Sequence, residues 1–232
     1  MDLPTKLTAL GQVFHLYDQF AATLDVACKI DCADCCTANV TLTTLEGYRI
    51  IDHLISSGNL GIIQKIRAAP PRNRFHPQIT TNRLAALCAE GRTPPDEGHA
   101  AWGPCPLLTS SQCPLYMVRP FGCRCFVSRR DCGEIGFAEM DDFVLTVNTV
   151  FLQTIEHMDA RGCSGNFADI LQVMASGANR RAYAHDTLNC SANRLIPNHP
   201  LKILIIPPQH RAKIAPILQA LRRIKVPGGS SA

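Results

Sequence analysis

Eight of the twelve cysteines in this 232-residue chain fall in two short segments. Four thiols lie within nine residues in the first segment, and four more lie within 21 residues in the second: Cys28, Cys32, Cys35, Cys36, and then Cys105, Cys113, Cys123, Cys125. Thiolates are strong ligands for zinc and for iron–sulfur clusters. The two segments therefore predict a metal centre, and these eight cysteines are its candidate ligands.

The spacing of the first segment lets its thiols converge in either of two backbone geometries. In a helix, positions i, i+4, i+7 and i+8 fall within a stripe about 80° wide, at about 100° per residue. In a turn, the spacing Cys32-x-x-Cys35 allows two thiolates to reach one ion. The sequence alone leaves both geometries open.

The adjacent cysteines Cys35 and Cys36 carry separate information. Neighbouring Cα atoms lie about 3.8 Å apart, below the separation of about 4.4–6.8 Å usual for a disulfide. Each thiol is therefore expected to have a different partner. Such a pair suits a multi-iron cluster or two neighbouring metal sites.

In the second segment, prolines follow Cys105 and Cys113 and place each thiol just before a rigid turn. Arg119 and Arg124 lie among the thiols in the sequence. A positive charge there would lower thiol pKa values and offset the negative charge of bound thiolates. The sequence leaves open which of Cys123, Cys125 and Cys132 act as ligands.

The three isolated cysteines Cys88, Cys163 and Cys190 are interpreted as small hydrophobic core residues, because free cysteine packs as one. Replacing Cys190 by serine is accordingly expected to change neither the metal content nor the stability.

The N-terminal sequence has no basic segment followed by an apolar run, and no stretch of about 18 uncharged apolar residues occurs. We therefore expect a cytoplasmic protein with no membrane partner, where thiols serve as metal ligands more often than as disulfides. The formal net charge of +4 is small and evenly spread, and it gives no indication of a nucleic-acid partner. The oligomeric state is open.

Apolar periodicity predicts a mainly α fold, in which helices pack around an irregular, cysteine-rich metal-binding centre with little strand. Thr43-x-x-Glu46 is a capping box that predicts the start of a helix. The expected division is an N-terminal helix at 1–27, a metal-binding domain at 28–132, and a C-terminal helical extension at 133–232 on the same core. Helices are expected at 4–27, 43–58, 60–68, 78–90, 141–160, 167–175, 179–188 and 211–225, with a possible strand at 201–206.

The cysteine pattern resembles the YkgJ-type cysteine-cluster family of zinc- or iron-chelating domains. The resemblance spans about 28–126 and rests on these motifs: Cys28-x3-Cys32-x2-Cys35-Cys36, Val40-Thr-Leu-Thr-Thr-Leu-Glu46, Cys105-Pro-Leu-Leu, Cys113-Pro-Leu-Tyr116 and Arg119-Pro120-x-x-Cys123-Arg124. It implies metal chelation through these cysteines. A flagellin lysine methylase belongs to the same broad group, which implies iron–sulfur-dependent methyl transfer as an alternative function. The three residues between the first two cysteines and the extra Cys125 depart from the commonest family pattern.

The number of thiols bears on the metal. One zinc takes four ligands, so seven or eight thiols fit two zincs or an iron–sulfur cluster with spare thiols. Clusters accept cysteine almost exclusively, and the nearest histidine, His99, is interpreted as a loop residue, which favours iron–sulfur over zinc.

Three classes of function remain open from the sequence. The first is a metal-binding protein for electron transfer, sensing or metal handling. The second is an enzyme that uses the cluster, and the third is a structural zinc module that binds another protein. No glycine-rich loop follows a predicted strand, so the usual cradle for a nucleotide or S-adenosylmethionine is missing. Beyond the metal site no catalytic motif is recognised.

Overall fold

The computed structural model describes residues 2–29, 32–68, 74–97 and 103–224. Of these residues 54% are helical and 6% are in strands or bridges, which confirms the mainly α prediction. No helix in these ranges is long and apolar enough to cross a membrane. The α-helices are α1 (Leu3–Ala21), α2 (Thr44–Ser56), α3 (Leu60–Ala68), α4 (Thr81–Ala89), α5 (Phe121–Arg124), α6 (Cys132–Ile135), α7 (Asp142–Met158), α8 (Phe167–Ala175), α9 (Gly177–Ala184) and α10 (Arg211–Arg223).

The predicted capping box opens α2. The Thr43 hydroxyl accepts from the backbone N–H of Glu46 at 3.3 Å, and the Thr43 N–H donates to the Glu46 carboxylate at 2.9 Å. Each group satisfies one of the amides left without a partner in the first turn. By contrast, α1 ends at Ala21 rather than at 27, and residues 25–29 run in extended form towards the second cysteine segment.

Three short strands form an antiparallel sheet in the order β1 (Thr41–Thr43), β2 (Cys163–Asn166), β3 (Ile196–Pro197). Because β1 directly follows the first cysteine segment, its pairing with β2 fixes where that segment ends. The prediction of a strand at 201–206 is wrong. That segment has no regular secondary structure, and the Gln153 side chain of α7 binds it through Ile203 O at 2.8 Å and Ile205 N at 2.9 Å.

The centre of the core is an aromatic cluster that joins the N-terminal helix, the second cysteine segment and the C-terminal helices. Phe121 of α5 stacks on Phe151 of α7 at 5.6 Å between ring centroids, and Tyr17 of α1 meets the edge of Phe121 at 4.7 Å. All three side chains are fully buried. Since Phe121 lies two residues before Cys123, the core fixes the position of that cysteine.

A buried carboxylate ties the sheet to α2 and α9. Asp159 accepts hydrogen bonds from the Thr44 hydroxyl at 2.6 Å, the Leu45 N–H at 3.0 Å and the Tyr183 hydroxyl at 2.6 Å. The Asn198 side chain also donates to it, at 3.2 Å. Burial raises the pKa of Asp159 to about 6, although these hydrogen bonds oppose the rise.

The interpretation of the isolated cysteines as core residues is confirmed for Cys163, but neither Cys163 nor Cys190 is a free thiol. Cys163, which is fully buried, forms a disulfide with Cys190 that links β2 to the 3₁₀ turn at Ser191–Asn193. Cys88, at the end of α4, is exposed rather than buried. Sequence spacing could not reveal the disulfide, because its two cysteines are 27 residues apart and only the fold brings them together.

We predict that replacing both disulfide cysteines by alanine lowers the free energy of unfolding by about 3.5 kcal/mol, which is the loop entropy expected for a closed loop of this length. Urea unfolding without added reductant measures the change, and Cys88→Ala is the control because its thiol is exposed and free. Equal stability of the double variant and the parent would show that Cys163 and Cys190 are not joined in solution.

The pKa of Asp159 predicts a dependence of stability on pH. Because the folded pKa lies above the ordinary value of about 3.9, protonation of Asp159 favours the folded state below about pH 4. This contribution, about 3 kcal/mol, is lost as the pH rises through 6. Urea unfolding of the parent and of Asp159→Asn, compared at each pH, should show their difference changing in this window. Parallel profiles would contradict the assignment.

Candidate metal centre

Within the described residues of the first cysteine segment, 28–29 and 32–36, the structure has a turn at 34–35 and no helix, which favours the turn geometry over the helical one. The Cys32 N–H donates to Lys29 O at 3.2 Å, and the Cys36 N–H donates to Ala33 O at 2.9 Å. Tight turns point successive side chains in different directions. Cys35 and Cys36 can therefore face different neighbours.

The second cysteine segment and the residues after it hold both ends of the first. At one end, Ala27 N–H donates to Ser128 O at 2.8 Å, and Ser128 N–H donates to the Cys28 sulfur at 3.2 Å. At the other end, the Cys105 N–H donates to Cys36 O at 2.8 Å. The two segments thus form one structural unit.

The second segment brings its own thiols together by a hairpin-like turn. Thr109 and Gln112 exchange backbone hydrogen bonds at 3.0 and 2.9 Å, and Ser110 and Ser111 between them have φ angles of 50° and 61°. The chain therefore reverses between Cys105 and Cys113. Three thiols of this segment lie two positions from a buried apolar residue, in the pairs Cys105 with Leu107, Cys113 with Leu115, and Cys123 with Phe121.

One buried carboxylate connects the two segments. The Glu46 side chain accepts from Phe121 N–H at 2.7 Å with one oxygen and from Thr43 N–H and hydroxyl, at 2.9 and 3.0 Å, with the other. The N-cap residue of α5 is Pro120, whose side chain offers no acceptor. Glu46 therefore caps α5, which carries Cys123, as well as α2.

The electrostatic neighbours of the cysteines define an inner group, consisting of Cys36, Cys105, Cys113 and Cys123. Burial raises the pKa of Cys123 well above its ordinary value, and the charges of the other three members and of Cys125 raise it further. Burial followed by the charges of Cys113 and Cys36 likewise raises the pKa of Cys105. Thiols repel one another's charge in this way only when they lie close together.

An outer group consists of Cys28, Cys32, Cys35 and Cys132. Burial raises the pKa of Cys35 to about 12, together with the charges of Cys36 and of the other three members of the outer group. Cys28, Cys32 and Cys132 also line one cavity of about 290 Å³, in which the Asp34 carboxylate lies 3.6 Å from the Cys32 sulfur. Asp34 adds an oxygen donor beside the thiols.

Seven of the eight predicted ligands fall into these two groups, and Cys125 is left out because of its location, although its charge also acts on Cys123. Its side chain is buried in the hydrophobic core, where the sulfur lies 3.7 Å from Gly122 O. Cys132, which the sequence left open, takes the remaining place in the outer group. His99 lies outside the residues that the structure describes.

The two arginines of the second segment have different roles. Arg119 stacks on the Tyr116 ring at 3.9 Å, and its charge lowers the pKa of Cys36 against the larger effects of burial and neighbouring thiols, which raise it. Arg124 forms two hydrogen bonds with Asp18, at 2.8 and 2.9 Å, and so attaches α5 to α1. The expectation that both arginines offset thiolate charge therefore holds only for Arg119.

Within the described residues, no three His, Cys, Asp or Glu side chains are spaced as ligands of a single ion. The thiols are gathered in each group but do not converge on one point. Thiolates gathered in this way repel one another, and a cation among them would remove this repulsion.

No protein-family model, curated protein or solved structure shows significant similarity to the chain. The resemblance to the YkgJ-type family therefore rests on the cysteine motifs alone.

Sequence reasoning missed two residues that position the thiols. Ser128 is buried, and its hydroxyl donates to Arg130 O at 2.7 Å and accepts from Glu139 N–H at 3.0 Å, so it holds the loop that contacts Cys28. Glu46 was recognised only as part of a capping box. A serine or glutamate that binds distant backbone leaves no local signal in the sequence.

We predict that Glu46→Gln lowers the free energy of unfolding by about 1–3 kcal/mol, because the amide cannot accept at both positions and leaves a buried N–H or O–H without a partner. Urea unfolding measures the effect. Glu90→Gln is the matched control, since Glu90 is exposed and pairs only with Arg92 among the contacts described. Equal effects of the two substitutions would contradict the positioning role.

Proposed function

We propose that this chain is a metal-binding protein with two neighbouring sites, each formed by four cysteines. The inner site would use the inner group and the outer site the outer group, as defined above. The observation that carries the proposal is geometric: the Cys105 N–H donates to Cys36 O at 2.8 Å, whereas Cys28, Cys32 and Cys132 line one cavity.

The fold supports this proposal because it holds thiols close together at a cost in free energy. Four thiols in a small, partly buried space resist ionisation, as the raised pKa values of Cys35, Cys105 and Cys123 indicate. A bound cation reverses this preference, since each metal–thiolate bond replaces a proton. Binding would also require side-chain rotations that bring the sulfurs to coordination distance, which the turns of the first segment permit.

Four cysteines form the ligand set both of a structural zinc site and of an iron–sulfur cluster. The N–H of Ser128 donates to the Cys28 sulfur at 3.2 Å, and Arg119 lies near Cys36. Hydrogen bonds and positive charge of this kind stabilise thiolates for either metal. The same residues therefore suit either metal.

The cluster-dependent methyl transferase and the structural zinc module are further proposals that presuppose the same sites. Binding of S-adenosylmethionine by the metal-loaded protein would support the first. Colourless protein with zinc and no response to reductant would support the second.

We predict that protein purified without oxygen carries two metal centres per chain. Elemental analysis with acid-labile sulfide determines their nature, as iron with matching sulfide indicates clusters and zinc without sulfide indicates zinc sites. Cys123→Ser and Cys132→Ser should each halve the metal content, because each removes a ligand from one site only.

Cys88→Ser is the control and should keep the full metal content, as its thiol is exposed on α4 and belongs to neither group. The absence of stoichiometric metal from the parent protein, or its full retention in both ligand variants, would overturn the proposal. Cys125→Ser should also retain both centres, provided that the variant folds.

A further inference from the structure

The two thiol groups differ in their contact with solvent. Cys32 is exposed, and with Cys28 and Cys132 it faces the cavity of about 290 Å³ described above. The inner thiols do not line this cavity. A molecule from solution can thus reach several outer thiols at once without moving the protein.

The two groups also differ in what holds their thiols in place. The inner cysteines of the second segment are each two positions from a buried core residue, namely Leu107, Leu115 or Phe121. Moving one of these thiols would pull an apolar side chain from the core. Removing a buried leucine or phenylalanine from its contacts is unfavourable, because it exposes apolar surface and leaves a cavity behind.

Two of the outer thiols, Cys32 and Cys132, lack this attachment. None of the four described residues of α6, which carries Cys132, is buried. Cys32 is exposed, and its backbone N–H donates to Lys29 O at 3.2 Å. Exposed segments with few buried contacts open at low free energy, so these thiols can leave a bound ion one at a time.

We propose that the outer site exchanges its metal with solution, whereas the inner site retains its metal as part of the folded structure. This inference rests on the proposed two-site function. It assigns Cys28, Cys32, Cys35 and Cys132 to a labile site for a thiolate-binding cation or cluster, and Cys36, Cys105, Cys113 and Cys123 to a permanent one.

The experiment adds an excess of a water-soluble chromogenic chelator to the metal-loaded full chain and follows metal release with time. The chelator is 4-(2-pyridylazo)resorcinol if the metal is zinc and bathophenanthroline disulfonate if it is iron. We expect two phases of equal amplitude, the first at least tenfold faster than the second. The fast phase belongs to the outer site and the slow phase to the inner site.

Two variants assign the phases. Cys132→Ser should lose the fast phase and keep the slow one, and its fold should be intact because α6 contributes no buried residue. Cys88→Ser should show both phases unchanged. After the fast phase, the parent protein should retain its far-ultraviolet circular dichroism. Release of the metal in the slow phase should lower the midpoint of its thermal unfolding.

Release of both metals at one rate, or persistence of the fast phase in Cys132→Ser, would overturn this inference and leave the two-site proposal intact. Freshly purified protein without stoichiometric metal would instead overturn the proposed function itself. The two failures are therefore distinguishable in the same preparation.

Discussion

The carboxylate of Glu46 connects the two halves of the cysteine centre. It is buried, it accepts from the backbone at the start of α2, and it accepts from the first N–H of α5. Both helix starts present amides that water cannot reach, so one carboxylate satisfies two sets of donors. If this contact were lost, the end of the first cysteine segment would no longer have a fixed position relative to the residues that lead to Cys123.

The remaining framework extends this connection to the rest of the molecule. Phe121, whose N–H binds Glu46, also packs its ring between α1 and α7. On the other side, β1 pairs with β2, which the disulfide and the Asp159 hydrogen bonds hold in place. The cysteine centre is therefore irregular in its own backbone, but rigid elements bound it on two sides. A disulfide and ten free thiols coexist in one chain because the fold keeps Cys163 away from the other cysteines in a fully buried position.

Local signals in the sequence predicted the parts of the fold that depend on neighbouring residues. The capping box at Thr43 and Glu46, the helical class and the bounds of α8 all follow from periodicity and capping. The spacing of the cysteines also predicted that Cys35 and Cys36 have different partners, which stays a prediction. What could not be predicted depends on contacts between distant segments. The disulfide, the burial of Cys125, the contact of Arg124 with Asp18 and the place of Cys132 in the outer group are of this kind.

Because Cys35 and Cys36 are adjacent, the position of the outer group depends on the inner group. The carbonyl of Cys36 accepts from the Cys105 N–H at 2.8 Å. This bond to the second cysteine segment fixes the backbone at Cys36 and therefore also at its neighbour Cys35. The outer group depends on this inner bond for the position of one of its four thiols. Three members of the inner group, Cys105, Cys113 and Cys123, lie two positions from the buried core residues Leu107, Leu115 and Phe121 and so do not depend on the outer group for their positions. A core-anchored group of thiols therefore supports a second group at the surface, through the Cys35–Cys36 peptide unit and through the contacts of Ser128 with Ala27 and Cys28.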